Sequence, residues 1–210
     1  MSGTSGARSD APMTPVTHLL YLHGFRSSPQ STKARKFAAW VAANRPELIW
    51  WCPQLFASPA EAMREVMAGV SAWPAERMAV VGSSLGGFYA TAVAERRCCR
   101  AVLLNPGVDP ARDLADAIGA TTAWHSGEPF DFRPEYVDEL RQIAPPATLT
   151  DLGRYFAVIA KGDEVLSWRE MSERYAGARV RLIEGSDHAL SDFDDHFPAV
   201  LAFLGLDRLR

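Results

Sequence analysis

The 210-residue chain has few cysteines, little net charge and no long apolar run. Each shortage excludes something. Only Cys52, Cys98 and Cys99 occur, and two of them are adjacent, a spacing that rarely bridges. They build no disulfide framework and read as thiols of a reducing compartment. A net charge of −3 leaves no dense basic surface, which binding to nucleic-acid phosphates requires. No apolar stretch approaches the ~20 residues that span a bilayer, so the cytoplasm is the expected location. The opening "MSGTSGARSDAPMTP" lacks the apolar centre of a secretory signal and reads as a mobile tail over residues 1–16. Neither G-x-x-x-x-G-K-[ST] nor G-x-G-x-x-G occurs, and the His and Cys residues show no zinc spacing. No metal and no cofactor are expected.

What is present is a chain that is 48% hydrophobic, enough for one domain with a sizeable core over residues 17–210. Short apolar runs alternate with amphipathic ones. "THLLYLHGF" (17–25), "LIWWCPQL" (48–55), "RMAVVGSS" (77–84), "CRAVLLNPG" (99–107), "GRYFAVIAKGD" (153–163) and "ARVRLIEGSDH" (178–188) read as strands. Between them, and after the last, lie helical segments at 31–46, 58–73, 85–97, 167–177 and 194–205. Strands such as "MAVVG" are apolar nearly throughout, as when helices cover both faces of a parallel sheet. The expectation is a three-layer α/β sandwich of about six mainly parallel strands. Residues 108–152 are too long for one crossover helix and read as a short helical insertion, a lid over the strand ends. Its aromatics, Trp124, Phe130, Phe132 and Tyr136, are candidates for an acyl-side wall.

In such sheets ligands bind beyond the carboxyl ends of the strands, so the residues there matter most. Gly82-Ser83-Ser84-Leu85-Gly86 fits G-x-S-x-G with a buried strand before it and a helix after it, the context that motif needs. The glycines let two backbones pass closely, and the serine at the apex presents its hydroxyl. Only Ser84, not Ser83, has glycines at the required offsets. A serine hydroxyl is a weak nucleophile and needs a base held by a carboxylate. In this architecture the order is Ser, acid, His. Asp163 and His188 each follow a strand, in that order. Asp109 is the rival acid. Glu164 should point away from Asp163, and Asp187 adjoins His188 too closely to hold its ring. His196 belongs to the packing of the last helix, His18 lies on the first strand, and His125 lies in the insertion, where it could line the pocket. His23 reads as a structural residue holding the "LHGF" loop. The backbone N–H groups of Phe25 and Leu85 are the expected oxyanion donors.

Together "YLHGF", "GSSLGGFYA", "LLNPG", "KGDEVL" and "GSDHAL" resemble the α/β-hydrolase superfamily, and within it the small bacterial YqiA-like esterase family. The resemblance runs from about Thr17 to Leu206. It implies a cytoplasmic serine esterase acting on short acyl esters, with coenzyme A thioesters as further substrates. It implies catalysis by Ser84, Asp163 and His188 with the amides of Phe25 and Leu85. The same triad would serve a thioesterase, a peptidase or a carbon–carbon bond hydrolase. A non-catalytic binding protein of the same fold is the alternative from another class.

Overall fold

A computed structural model describes residues 14–122, 127 and 129–207. Among the described residues eight strands and seven α-helices follow one another: β1 (His18–Leu22), α1 (Thr32–Asn44), β2 (Ile49–Trp51), α2 (Pro59–Gly69), β3 (Met78–Ser83), α3 (Leu85–Arg97), β4 (Arg100–Leu104), α4 (Pro110–Asp113), β5 (Gly119–Thr122), β6 (Pro129–Phe132), α5 (Pro134–Ile143), β7 (Tyr155–Ala160), α6 (Trp168–Arg174), β8 (Arg179–Ile183) and α7 (Phe193–Leu204). Six strands form one parallel sheet in the order β2-β1-β3-β4-β7-β8. The fold is a three-layer α/β sandwich.

Alternate residues of each central strand feed two separate cores, as a period of two requires. Leu20, Leu22, Val80, Leu103 and Ile159 pack towards α2, α3, α5 and α6. Leu19, Tyr21, Val81, Leu104 and Val158 pack towards α1 and α7. All six residues of β3 are buried, which explains why the strand reads as unbroken apolar sequence. The register levels the strand ends: Leu22 lies opposite Gly82, and Ser83 opposite Leu104. The residues that follow β1, β3, β4 and β7 therefore emerge side by side.

The ends of the elements follow local chemistry. Ser58 caps α2 by accepting from the Glu61 amide at 3.2 Å, with Pro59 in the first turn. β2 is shorter than the apolar run suggests, because Pro53 has no N–H to continue the ladder. Two boundaries differ from the sequence reading. The tail was expected to reach residue 16, but Val16 is fully buried and the Thr14 carbonyl accepts from Arg100. The chain is thus held from Thr14 onward. The insertion is helical only at its ends: between α4 and α5, β5 and β6 pair as an antiparallel hairpin. Glu139 of α5 anchors it, accepting from the Ser58 hydroxyl at 2.7 Å and the Ala60 amide at 3.0 Å. No described helix is long and apolar enough to cross a membrane.

Candidate active site

The turn from β3 into α3 is a tight crossing of three backbones. A Cβ on Gly82 would overlap the Gly86 carbonyl, and one on Gly86 would overlap the Leu22 carbonyl of β1. Only glycine fits at either position. Ser84, between them, has φ 56° and ψ −123°, a conformation that costs a non-glycine residue ~1–3 kcal/mol. Hydrogen bonds hold it there. Its amide donates to Leu104 at 3.0 Å, and its carbonyl accepts from Gly87 at 2.8 Å and Gly107 at 2.9 Å.

Ser84 Oγ lies 3.0 Å from His188 Nε2, and His188 Nδ1 lies 2.8 Å from Asp163 Oδ2. The Asp163 side chain is fully buried. Its other oxygen accepts from the amides of Val165 and Leu166, both at 2.8 Å. With Nδ1–H donating to the carboxylate, Nε2 is free to accept the serine proton. The structure thus brings together three residues from three separate strand ends.

The remaining candidates lie elsewhere or act differently. Asp109 is exposed and caps α4, accepting from the Arg112 amide at 3.2 Å. Asp187 is engaged with the Ser191 hydroxyl and amide, which hold its carboxyl below the usual range. Glu164 accepts from the His188 amide at 2.9 Å, so it holds the backbone of the histidine. His196 is buried on α7 against Asp192, and His18 bonds Thr17 at the opposite end of β1. His125 and Trp124 lie outside the described residues. His23 is buried; its Nδ1 faces the Gly24 carbonyl at 3.0 Å, and its Nε2 accepts from the Leu55 amide at 3.1 Å. It is a neutral clamp between the β1 loop and the segment before α2. Burial pushes the thiols of Cys52 and Cys99 up to about 12, too high for a thiolate nucleophile near neutral pH.

A cavity of about 500 Å³ opens on Ser84 and His188. Phe25 and Leu85 line it. No hydrogen bond from the amide of either is found among the described residues; Leu85, as the first residue of α3, has no acceptor within its helix. The insertion contributes Pro110, Asp113 and Leu114 to the lining. None of its described aromatics lines this cavity, but Phe130 lines a smaller one that shares Gly24, Phe25, Ser27 and Leu85 with it. Phe132 is buried in the core and Tyr136 packs on it. Phe130 and Phe132 both meet the Phe25 ring edge-on, at 5.1 and 5.2 Å.

The sequence reading missed Asn105. It follows β4 directly, is completely buried, and has φ 41°. Its Nδ2 donates to the carbonyls of Asp187 (2.9 Å) and His188 (3.2 Å), and its Oδ1 accepts from the Ala160 amide at 2.8 Å. One side chain therefore joins the end of β4 to the end of β7, ahead of Asp163, and to the loop carrying His188. The available signal was a polar residue ending an apolar strand in "LLNPG". Asn105→Ala leaves the buried Ala160 amide and the part-buried Asp187 and His188 carbonyls without this partner and should cost about 2–4 kcal/mol. Urea unfolding would measure this, and an unchanged midpoint would mean the network carries no stability.

Comparison with known proteins bears on the fold. Mouse α/β hydrolase domain-containing protein 10 superposes with a TM-score of 0.67 at 15% identity, covering 92% of this chain and 90% of that one. The esterase domain of a Rhodothermus marinus protein gives 0.61 at 20% identity, covering 93% and 87%. Est1E of Butyrivibrio proteoclasticus, solved with ferulic acid bound, gives 0.64 at 14% identity, covering 92% and 87%. The model of an uncharacterised protein family, UPF0227, matches residues 18–205. The chain belongs to the UPF0227 family and carries the fold of the α/β-hydrolase superfamily.

Proposed function

We propose that the protein is a serine hydrolase that cleaves carboxylic esters, with short acyl esters and acyl thioesters as substrates. The observation that carries this reading is the unbroken relay Ser84–His188–Asp163, at 3.0 and 2.8 Å, on the floor of a cavity. Ser84 Oγ attacks the acyl carbon as its proton passes to His188 Nε2. Asp163 holds the Nδ1–H tautomer and stabilises the imidazolium. The amides of Phe25 and Leu85 receive the oxyanion, each donor being worth roughly 3–4 kcal/mol in the transition state. His188 then protonates the departing alcohol or thiol, and the acyl-enzyme forms. A water, deprotonated by His188, cleaves it to release the acid and restore Ser84. Esterases with the same fold support the reading.

A fluorophosphonate probe tests it directly. One equivalent is expected on the Ser84 peptide, read by mass spectrometry, with loss of p-nitrophenyl ester turnover in proportion. A folded protein that takes up no probe and turns over no ester would overturn the assignment in favour of a binding protein.

A further inference from the structure

We propose that the preferred substrate is an ester bearing a free carboxylate, and that Lys33 binds that carboxylate. This rests on the reading of Ser84 as the nucleophile. The cavity straddles the two faces of the sheet. Leu85, Leu114 and Leu166 line it and belong to the apolar cluster on the α3 face. Ser27, Ser31 and Lys33, before and within the first turn of α1, line it from the other face. One side suits hydrocarbon and the other suits a polar group.

Lys33 is the only lysine or arginine among the described lining residues. It is half-buried, and its ammonium donates to the Ala189 carbonyl. No carboxylate pairs with it within 4 Å among the described residues. The nearby Asp187 is engaged with Ser191, and the acid in the lining, Asp113, pairs with Arg112 at 2.7 Å. Burial lowers the Lys33 ammonium to about 8, against the opposing pull of Asp187. The cation therefore remains largely charged at neutral pH, with donors to spare and a desolvation cost that an incoming anion would offset. One ammonium, in a lining that also holds the Ser27 and Ser31 side chains, matches a single negative charge. A phosphate dianion would leave charge uncompensated there. A volume of about 500 Å³ lies within the range of small-ligand sites. A monoester of a dicarboxylic acid satisfies these terms: its ester carbonyl sits at Ser84, its acyl chain runs from there to the carboxylate at Lys33, and its alcohol group lies on the leucines. Hydrolysis breaks the acyl C–O bond; the alcohol leaves with a proton from His188, and water supplies the second carboxylate.

The test compares kcat/KM for monoethyl esters of four- to eight-carbon dicarboxylic acids with that for ethyl esters of the matching monocarboxylic acids. The wild type should favour the charged ester tenfold to a hundredfold, the range of a charge-assisted hydrogen bond. Lys33→Met should remove that preference, and Lys33→Arg should keep most of it. Equal rates on both esters in the wild type would overturn the proposal. So would an equal loss on both in Lys33→Met, which would leave Lys33 only the task of holding the Ala189 loop. A stronger Lys33-dependent preference for a coenzyme A thioester would move the anion to the leaving group and overturn the carboxylate. Glutarate binding, measured calorimetrically in the wild type and in Lys33→Met, separates the two levels of the argument. It should weaken tenfold or more in the variant even if Ser84 proves unreactive. Absence of glutarate binding to the wild type would refute the site while leaving the esterase reading intact.

Discussion

Ser84→Ala is expected to lower ester turnover by about 10⁴–10⁶-fold, the cost of removing a triad nucleophile. The adjacent serine is not placed to take over. Ser83 is the last residue of β3 and nearly buried, and it lacks the glycine spacing that exposes its neighbour. The variant should fold normally. Alanine meets the same φ of 56° as serine does, and the bonds from Leu104, Gly87 and Gly107 use only the backbone at this position. Steady-state hydrolysis of p-nitrophenyl acetate, with a thermal melt on the same sample, provides the measurement. Substantial turnover by folded Ser84→Ala would remove the nucleophile assignment. Ser83→Ala should keep most activity, so complete inactivation there would count against the steric argument.

The second large effect concerns the acid. Asp163→Asn should reduce kcat by about 10³–10⁴-fold with little change in fold. The geometry gives the reason. One oxygen of Asp163 accepts two amides, from Val165 and Leu166, and the other faces His188 Nδ1. An asparagine has one oxygen. Placed towards the amides, it turns its NH₂ on Nδ1 and forces the imidazole proton onto Nε2. That nitrogen can then no longer accept from Ser84. Asp109→Asn should do little by comparison, since asparagine caps a helix as well as aspartate and Asp109 caps α4. If kcat ranked these two variants the other way round, the acid would lie after β4.

The legibility of the molecule followed the range of the interactions involved. The alternation of strands and helices was readable because each depends on local period and on its own end signals. The tight turn at Ser84 was readable for the same reason: its glycines are needed within two residues on either side. The placement of Asp163 and His188 past the ends of two strands was readable, since each follows an apolar run. Asn105 was not, because its partners lie at residues 160, 187 and 188, and nothing local distinguishes it from a turn residue. The roles of Glu164 and Lys33 depend likewise on a loop that only the folded sheet brings near. The insertion was misread most. Its aromatic content was visible, but whether a ring faces a cavity or a core depends on what stands opposite it. Here Phe25 stood opposite.

That contact has a consequence for protein engineering. Arg26, with φ 57°, donates to the Thr122 carbonyl at 2.7 Å, and the neighbouring Phe25 ring rests on Phe130 and Phe132. Two segments separated by 96 positions thus behave as one module of the site. The insertion is not an interchangeable cassette. A chimera that imports it from a relative without a matching residue 25 breaks the aromatic junction.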